Sequence, residues 1–551
     1  MKSKFIATLL VIALAASAQD KNFFPKPSYF RETFAAPPVA KVEMLPPVRL
    51  SDYVVSGKLE LSLRSYLELV MANNTDIAIS RLSVETAKNA ILRGFAPFDP
   101  FATANFNSTR TKSLPTDALA GASTLQQLSQ PLNFNYSQTM TTGINYSVGF
   151  AETKSTTNSG FANFNPAFNS NLAFSFSQPL LRNRGSYINR LTITTARSRV
   201  RKTEYDLTNT LIGLINTAEL VYWQAVQVRE NLRVQESSLD LADKFLQRSR
   251  RELELGAISK LDIFQPEQQF VQAQASVSQA RYQVLQQDDA IRKQIGADLD
   301  PAIRVLPIVL TETPNVPTDT TTTDAEAVVA KALLLRPDLK SANQNLDLDD
   351  LQIKSVTNAM RPDLALTGTY TSQGRGGTAY VRKNVFNDTG GSSTVTSVLP
   401  GGFGDAFDQM FGFGYPIYGF GLRLRLPIRN RQASADMADA LIQKKRDALN
   451  IRTTEQQVRL DVLTALNQLE SSKSQVDLAI KSRDFAQKRM DAENKKYELG
   501  TSTQFLVLQA QTDLTTAESN VVTQSVNYRR NVLSVLRVTG DLLEQRGVAV
   551  K

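Results

Sequence analysis

The chain has 551 residues, with 62 Lys and Arg against 53 Asp and Glu and no cysteine or histidine. The missing residue types exclude disulfides, Cys/His zinc sites, cysteine nucleophiles and histidine-based triads, and the basic residues behind the +9 net charge are scattered, not clustered as nucleic-acid binding requires. A hydrophobic share of 42% is too low for a bundle of transmembrane helices. At the start of the chain, Lys2 and Lys4 precede the apolar run Phe5 to Ala16, which ends in Ala16-Ser17-Ala18. A basic start, a short apolar segment and a small-x-small site predict a cleaved signal peptide over 1–18. The apolar run, about 12 residues, is too short to cross about 30 Å of hydrocarbon as a helix. The mature chain is therefore expected to be exported, and to enter any membrane without transmembrane helices.

Residues 19–57 carry Pro25, Pro27, Pro37, Pro38, Pro46 and Pro47 and predict an extended leader. A first structural unit is expected over 58–296. Its opening helical pattern begins near Leu61, breaks at Asn73-Asn74 and ends before Pro97 and Pro100. Residues 101–182 are poor in charge and rich in Phe, Tyr, Thr, Ser and Asn. Ile144, Tyr146, Val148 and Phe150 alternate there with Asn145, Ser147 and Gly149, as Leu172, Phe174 and Phe176 alternate with Ala173, Ser175 and Ser177. This period of two marks half-buried strands, and Thr142-Gly143 predicts a hairpin turn between strands near 132–140 and 143–153. A long helix follows over 188–254, with Leu207, Leu211, Leu214, Ala218, Val221, Ala225, Val228 and Leu232 forming a heptad seam. Gly256 ends it, Ser259 is placed to cap the next helix, and that helix is expected over 260–296.

A proline- and threonine-rich linker is expected over 297–323, and then the pattern recurs over 324–543. The second unit predicts a helix, strands within 363–428, a long helix over 432–499, a helix over 503–540, and a tail over 544–551. Arg336-Pro337-Asp338-Leu339 stands where Asn74-Thr75-Asp76-Ile77 stood, Pro427 answers Pro179, and Gly500 and Gly540 answer Gly256 and Gly296. Such ordered matches argue for internal duplication. Each long helix would reach roughly 100 Å, and the two shorter helices of a unit, stacked end to end, would reach about the same. Rods with heptad seams must pair side by side. A few strands per chain cannot bury an aromatic face or satisfy their own edges. Sharing a closed β-barrel among several chains solves both problems, and such a barrel can sit in an outer membrane.

The sequence resembles the TolC-type outer membrane efflux protein family over about 59–543. The resemblance rests on Leu67-Glu68-Leu69 with Asn73-Asn74-Thr75-Asp76-Ile77, on Ser177-Gln178-Pro179-Leu180-Leu181-Arg182, and on Val221-Tyr222-Trp223. It rests also on Glu254-Leu255-Gly256-Ala257-Ile258-Ser259 and Tyr497-Glu498-Leu499-Gly500-Thr501-Ser502. It implies an α+β membrane protein: a long antiparallel coiled-coil α-barrel joined to a β-barrel whose strands are shared among three protomers. It implies a homotrimer in outer membrane lipid that docks a periplasmic adaptor and an inner-membrane pump, as the passive exit duct of an efflux or type I secretion system. No cofactor, metal or nucleic acid is implied.

The resemblance places docking at two helical turns, Gly256, Ala257, Ile258 and Ser259 in the first unit and Gly500, Thr501, Ser502 and Thr503 in the second. It also implies an acidic gate just after the second turn, but Leu506 and Gln509 stand at those positions. Their first-unit counterparts are Asp262 and Gln265, and Asp262 is the nearest acidic substitute; its plainer role is to stabilise a helix N-terminus. The family contributes four strands per chain, so a hairpin over 132–153 is a departure. Trp223 reads as core packing and Lys444-Lys445-Arg446 as a solvated helix face. Asp288-Asp289 and Asp349-Asp350 are adjacent on helices and point apart, which is poor geometry for a hard cation. The alternative function is an exported coiled-coil scaffold or spacer, which leaves the aromatic strands unexplained. A two-carboxylate glycosidase would need a cleft that paired rods do not offer.

Overall fold

The computed structural model describes residues 48–115, 122–297, 301–314, 324–382 and 394–548. The expected signal peptide and most of the expected leader lie outside the described residues. In chain order the elements are β1 (Val54–Val55), β2 (Lys58–Leu61), α1 (Leu63–Asn73), α2 (Thr75–Phe95), β3 (Phe101–Phe106), β4 (Thr109–Ser113), β5 (Leu125–Thr139), β6 (Asn145–Thr157) and β7 (Phe164–Pro179). Next come α3 (Ser186–Asn189), α4 (Leu191–Glu254), α5 (Phe264–Ile295), α6 (Pro301–Arg304), β8 (Ile308–Leu310), α7 (Ala325–Leu335) and α8 (Pro337–Ala359). The chain ends with β9 (Asp363–Arg382), β10 (Val395–Leu399), α9 (Phe403–Phe411), β11 (Pro416–Arg425), α10 (Arg431–Glu498), α11 (Gln504–Thr539) and α12 (Leu542–Gln545). Two compact units emerge, one of residues 92–193 with 354–437 and one of residues 48–91, 194–353 and 438–548.

The first unit is built on one antiparallel sheet. β6 pairs with β5 and β7, β7 pairs with β9, and each end is a divided column: β3 and β4 both lie along β5, while β10 and β11 both lie along β9. The hairpin expected near 132–153 is present but longer, and it turns over Met140–Ile144 with Gly143 at a φ of +94°. The pairing register sets Ala102, Tyr136, Val148, Phe174, Tyr370 and Tyr418 in one row across all six columns. The opposite face carries the row Ser137, Ser147, Ser175, Thr369 and Gly419, with the Ser147 and Ser175 hydroxyls 2.7 Å apart. One face is thus aromatic and aliphatic and the other small and polar, as strict alternation dictates. The apolar face stays open over much of its area: Phe174 is 40% exposed and Phe420 78%.

Further along the same face the amphipathic helix α9 closes over the sheet. Phe403 and Phe407 meet Phe168 and Phe150 edge-on, and the Ser372 hydroxyl donates to the Met410 carbonyl at 2.5 Å. Gly374 allows this approach, because a Cβ there would run into the Ala406 carbonyl. Gly374 and Gly376 of β9 thus form a packing surface for α9.

The second unit is helical. Its core gathers Tyr66, Leu67, Leu69 and Val70 of α1, Leu211, Ile215, Tyr222 and Trp223 of α4, Ile291 and Ile295 of α5, and Leu533 of α11. On α4 the seam residues Leu207, Leu211, Ala218, Ala225 and Val228 are buried and Leu214, Val221 and Leu232 half-buried, and on α10 Val458, Val462, Ala465, Val476 and Ala479 are buried at the same spacing. Trp223 is core, donating to Glu219 at 3.2 Å.

One expectation is corrected in this unit. Leader and linker are not both free extended chain. Leu50–Tyr53 forms a 3-10 turn, β1 pairs with β2, and β8 from the linker pairs in parallel with β2, so that Leu59 and Ile308 are buried together. The prolines fit this packing, Pro301 opening α6 and Pro307 accepting the Leu59 N–H at 2.9 Å. The adjacent Asp288 and Asp289 each take a basic partner, Arg229 for Asp288 and Arg292 for Asp289. Burial holds the Arg229 guanidinium below its ordinary range and raises the Asp288 carboxyl, the pairing opposing both.

Candidate functional site

Both candidate turns lie in the helical unit. α4 ends at Glu254 and α10 at Glu498, and Gly256 and Gly500 each adopt a φ of +74°. At the first turn Gly256 N–H donates to Leu253 and Ala257 N–H to Glu252, at 3.0 and 2.8 Å. At the second, Gly500 N–H donates to Tyr497 and Thr501 N–H to Lys496, at 3.0 and 2.9 Å. Both are Schellman caps, which satisfy carbonyls the helix leaves unpaired and require a left-handed residue. Gly296 and Gly540 end α5 and α11 in the same way, with φ of +69° and +80°.

Beyond the caps the turns differ. In the first, Ser259 Oγ accepts from Leu261 N–H and Asp262 Oδ2 accepts from Ser259 N–H, each at 3.1 Å. Ser259 and Asp262 hold each other, and α5 begins only at Phe264, four residues later than expected. In the second, Ser502 Oγ and Lys496 Nζ donate to Glu493 at 2.8 and 2.7 Å and hold its carboxyl below the usual range. Thr503 is the residue before α11 and makes no side-chain cap.

Side chains bring the two turns together. Tyr497 Oη donates to Glu252 Oε2 at 2.6 Å, Arg248 pairs with Glu252 at 2.9 Å and with Glu498 at 3.5 Å, and Gln504 donates to Ser249 at 3.2 Å. Phe245, Val507 and Leu508 bury an apolar contact beneath them. Burial, followed by the bond to Glu252, raises the Tyr497 phenol. Around this braced base the surface is apolar and open: Leu255, Leu261, Phe264, Leu499 and Phe505 are all more than half exposed.

Asp262 stands in the turn before α5 and Gln265 at the start of that helix, Leu506 and Gln509 lie in the first two turns of α11, and all four are exposed. Among the described residues no hydrogen bond or ion pair joins the Asp262–Gln265 pair to the Leu506–Gln509 pair. Asp262 spends its carboxylate on its own turn. Gln509 donates to Asp513 at 3.0 Å, and Arg489 pairs with Asp513 at 2.8 Å. Sequence reasoning missed this arrangement. An acid does stand on this face of α11, one turn beyond the expected position, and a cation from α10 offsets it. The i, i+4 spacing of Gln509 and Asp513 was the available signal.

Sheet, paired long helices and capped turns together match known proteins. The outer membrane efflux protein family model matches residues 143–297 and 328–541, more than half of the chain. The chain belongs to this family. Among solved structures it is similar to CusC, with 15% identity, a TM-score of 0.59, and coverage of 92% of this chain and 99% of that one. It is similar also to the Campylobacter jejuni CmeC outer membrane channel, at 16% identity and a TM-score of 0.58, covering 92% of this chain and 94% of CmeC. The Neisseria gonorrhoeae MtrE outer membrane channel matches at 16% identity and 0.57, over 91% and 94%. At these identities the likeness speaks for the fold alone. No curated protein sequence matches. The chain is an outer membrane efflux protein, of a family of transport channels, and the scaffold alternative falls with that membership.

Proposed function

We propose that three copies of this chain close their sheets into one β-barrel in the outer membrane and their helices into a periplasmic tube, forming a passive exit duct. The observation that carries this reading is the two-faced sheet. Its apolar face suits lipid, its Ser/Thr/Gly face suits an aqueous lumen, and it cannot close within one chain. Its two outermost columns also need partners. The matched Schellman caps at Gly256 and Gly500, and at Gly296 and Gly540, support an origin by duplication. The paired turns 256–259 and 500–503, braced below and apolar above, are the docking surface for a periplasmic adaptor, with the inner-membrane pump supplying the energy. Asp262, Gln265, Leu506 and Gln509 line the entrance next to them. Asp262 is tied into its turn and Asp513 is offset by Arg489, so the entrance lacks a bare acidic ring.

Native mass and fractionation of the expressed protein test the proposal. A detergent-extracted trimer from the outer membrane is expected. A soluble monomer or dimer in the periplasm would overturn it.

A further inference from the structure

We infer that the barrel is built from six strand columns per protomer, eighteen in all, and that the partner of the β10/β11 edge is the β3/β4 edge of the next copy. This rests on the trimeric reading above and adds to it the width of the pore.

Three observations carry the inference. First, the pairing from β3/β4 through β5, β6, β7 and β9 to β10/β11 is continuous, with thirteen residue pairs between β5 and β6 and eleven between β6 and β7. The extra hairpin is therefore integral to the sheet and does not hang outside it. Second, every neighbouring pair is antiparallel. Six alternating columns leave the two edges running in opposite senses, so identical copies joined head to tail remain antiparallel throughout. Third, the apolar face reaches both edges. Ala102, Ala104 and Phe106 share the side of Tyr136, and Tyr418, Phe420 and Leu422 share the side of Tyr370. Phe106 is 66% exposed and Leu422 is 70%. A ring that used only four columns would turn β3, β4 and β5 away, leaving their apolar side chains uncovered and the long β5–β6 ladder broken.

The width follows from geometry. Strands about 4.8 Å apart and tilted about 40° give a circle about 36 Å across for eighteen columns, against about 24 Å for twelve. That is the size range in which barrels hold an open aqueous channel. The membrane segment then admits bulky solutes, and selection among cargo falls to the helical entrance.

The lack of native cysteine makes the test direct. Tyr418→Cys is combined, one position at a time, with cysteines along β3 and β4, and separately with Tyr146→Cys and Val148→Cys on β6. The full-length protein is oxidised in outer membranes and run without reductant, with native mass recorded for each variant. A trimer whose subunits become disulfide-linked between β11 and β3/β4, and not between β11 and β6, is the expected result. A trimer linked through β6, or one in which no β3 or β4 position links, overturns the eighteen-column barrel while leaving the trimer intact. Loss of the trimer in the unmodified protein would overturn the functional reading itself.

Discussion

Replacing Gly500 with alanine isolates the conformational cost of the cap. Gly500 has a φ of +74°, and a Cβ built there meets nothing within 4 Å. The penalty is therefore left-handed strain alone, about 1–2 kcal/mol for an L-residue. Alanine also narrows the unfolded ensemble, which returns about 0.4–1 kcal/mol. The net loss is about 1 kcal/mol, or roughly a fivefold rise in local opening, since about 1.4 kcal/mol is tenfold. Asparagine tolerates this conformation better and should cost less than alanine. Hydrogen exchange at the Gly500 and Thr501 amides reads the effect directly, because these donors close the cap. The cognate change at Gly256, which has the same φ and the same free space, should give a matching fall in protection. Gly296→Ala should cost more, as its Cβ would stand 3.3 Å from the Asn73 carbonyl. Unchanged protection in Gly500→Ala, or a larger loss in Gly500→Asn, would refute the reasoning.

Tyr497→Phe removes the hydroxyl that reaches Glu252 from the neighbouring turn. A loss of about 1 kcal/mol is expected at this half-exposed site, seen as several-fold faster tryptic cleavage at Arg250 and Arg251; an unchanged rate would show that the brace carries no load. Arg546 makes two hydrogen bonds to Glu219, at 2.9 and 2.5 Å, and the Glu219 side chain is only 1% exposed. Arg546→Ala leaves the buried Glu219 carboxylate with no cation and only the Trp223 N–H, and should cost about 3–5 kcal/mol, part of it recovered by Glu219→Gln, which removes the charge and keeps an acceptor for Trp223; thermal unfolding in which the double variant is no better than the single would contradict this. The Asp349 carboxyl is pushed up to about 6 by burial and then by Asp447. A raised carboxyl favours the protonated fold, so its contribution is present below the unfolded value near 4 and is lost as pH rises through 6. Asp349→Asn should therefore flatten the decline in melting temperature between pH 4 and 7, and equal slopes in both proteins would rule the effect out.

The helices were legible because their signals are local and repeated. A heptad seam such as Leu207–Leu211–Ala218–Ala225 records its buried side in spacing alone. Glycine after a long helix records its cap, since the left-handed residue is needed wherever the chain sits. The start of α5 was misjudged because Ser259 and Asp262 hydrogen-bond to each other's turn, and such closures compete with helix over a few residues. Leader and linker were misread for a different reason. The end of the leader (β1) and the linker strand β8 both pair with β2, Val54 with Leu59 and Ile308 with Leu59, the second joining segments 249 positions apart in sequence, and proline content carries no trace of a strand partner.

The sheet shows the same division between what is local and what is not. Alternation in β6 and β7 was visible because each strand states its own two faces. The strand order was invisible, because register is a relation between strands. The dissent of Gly374 and Gly376 from the aromatic pattern is the point where these levels meet. Along β9 they fall on the apolar face, in line with Tyr370 and Ser372, yet contribute no side chain. Read alone they weaken a strand. In the folded unit they give room to α9, whose Phe403, Phe407 and Met410 supply from outside the strand the apolar atoms that the glycines lack. The face thus remains continuous although the strand sequence is not. A glycine pair inside an otherwise alternating barrel strand is accordingly a sign that a second element packs there, and the length of chain between β9 and β11 is where that element was to be found.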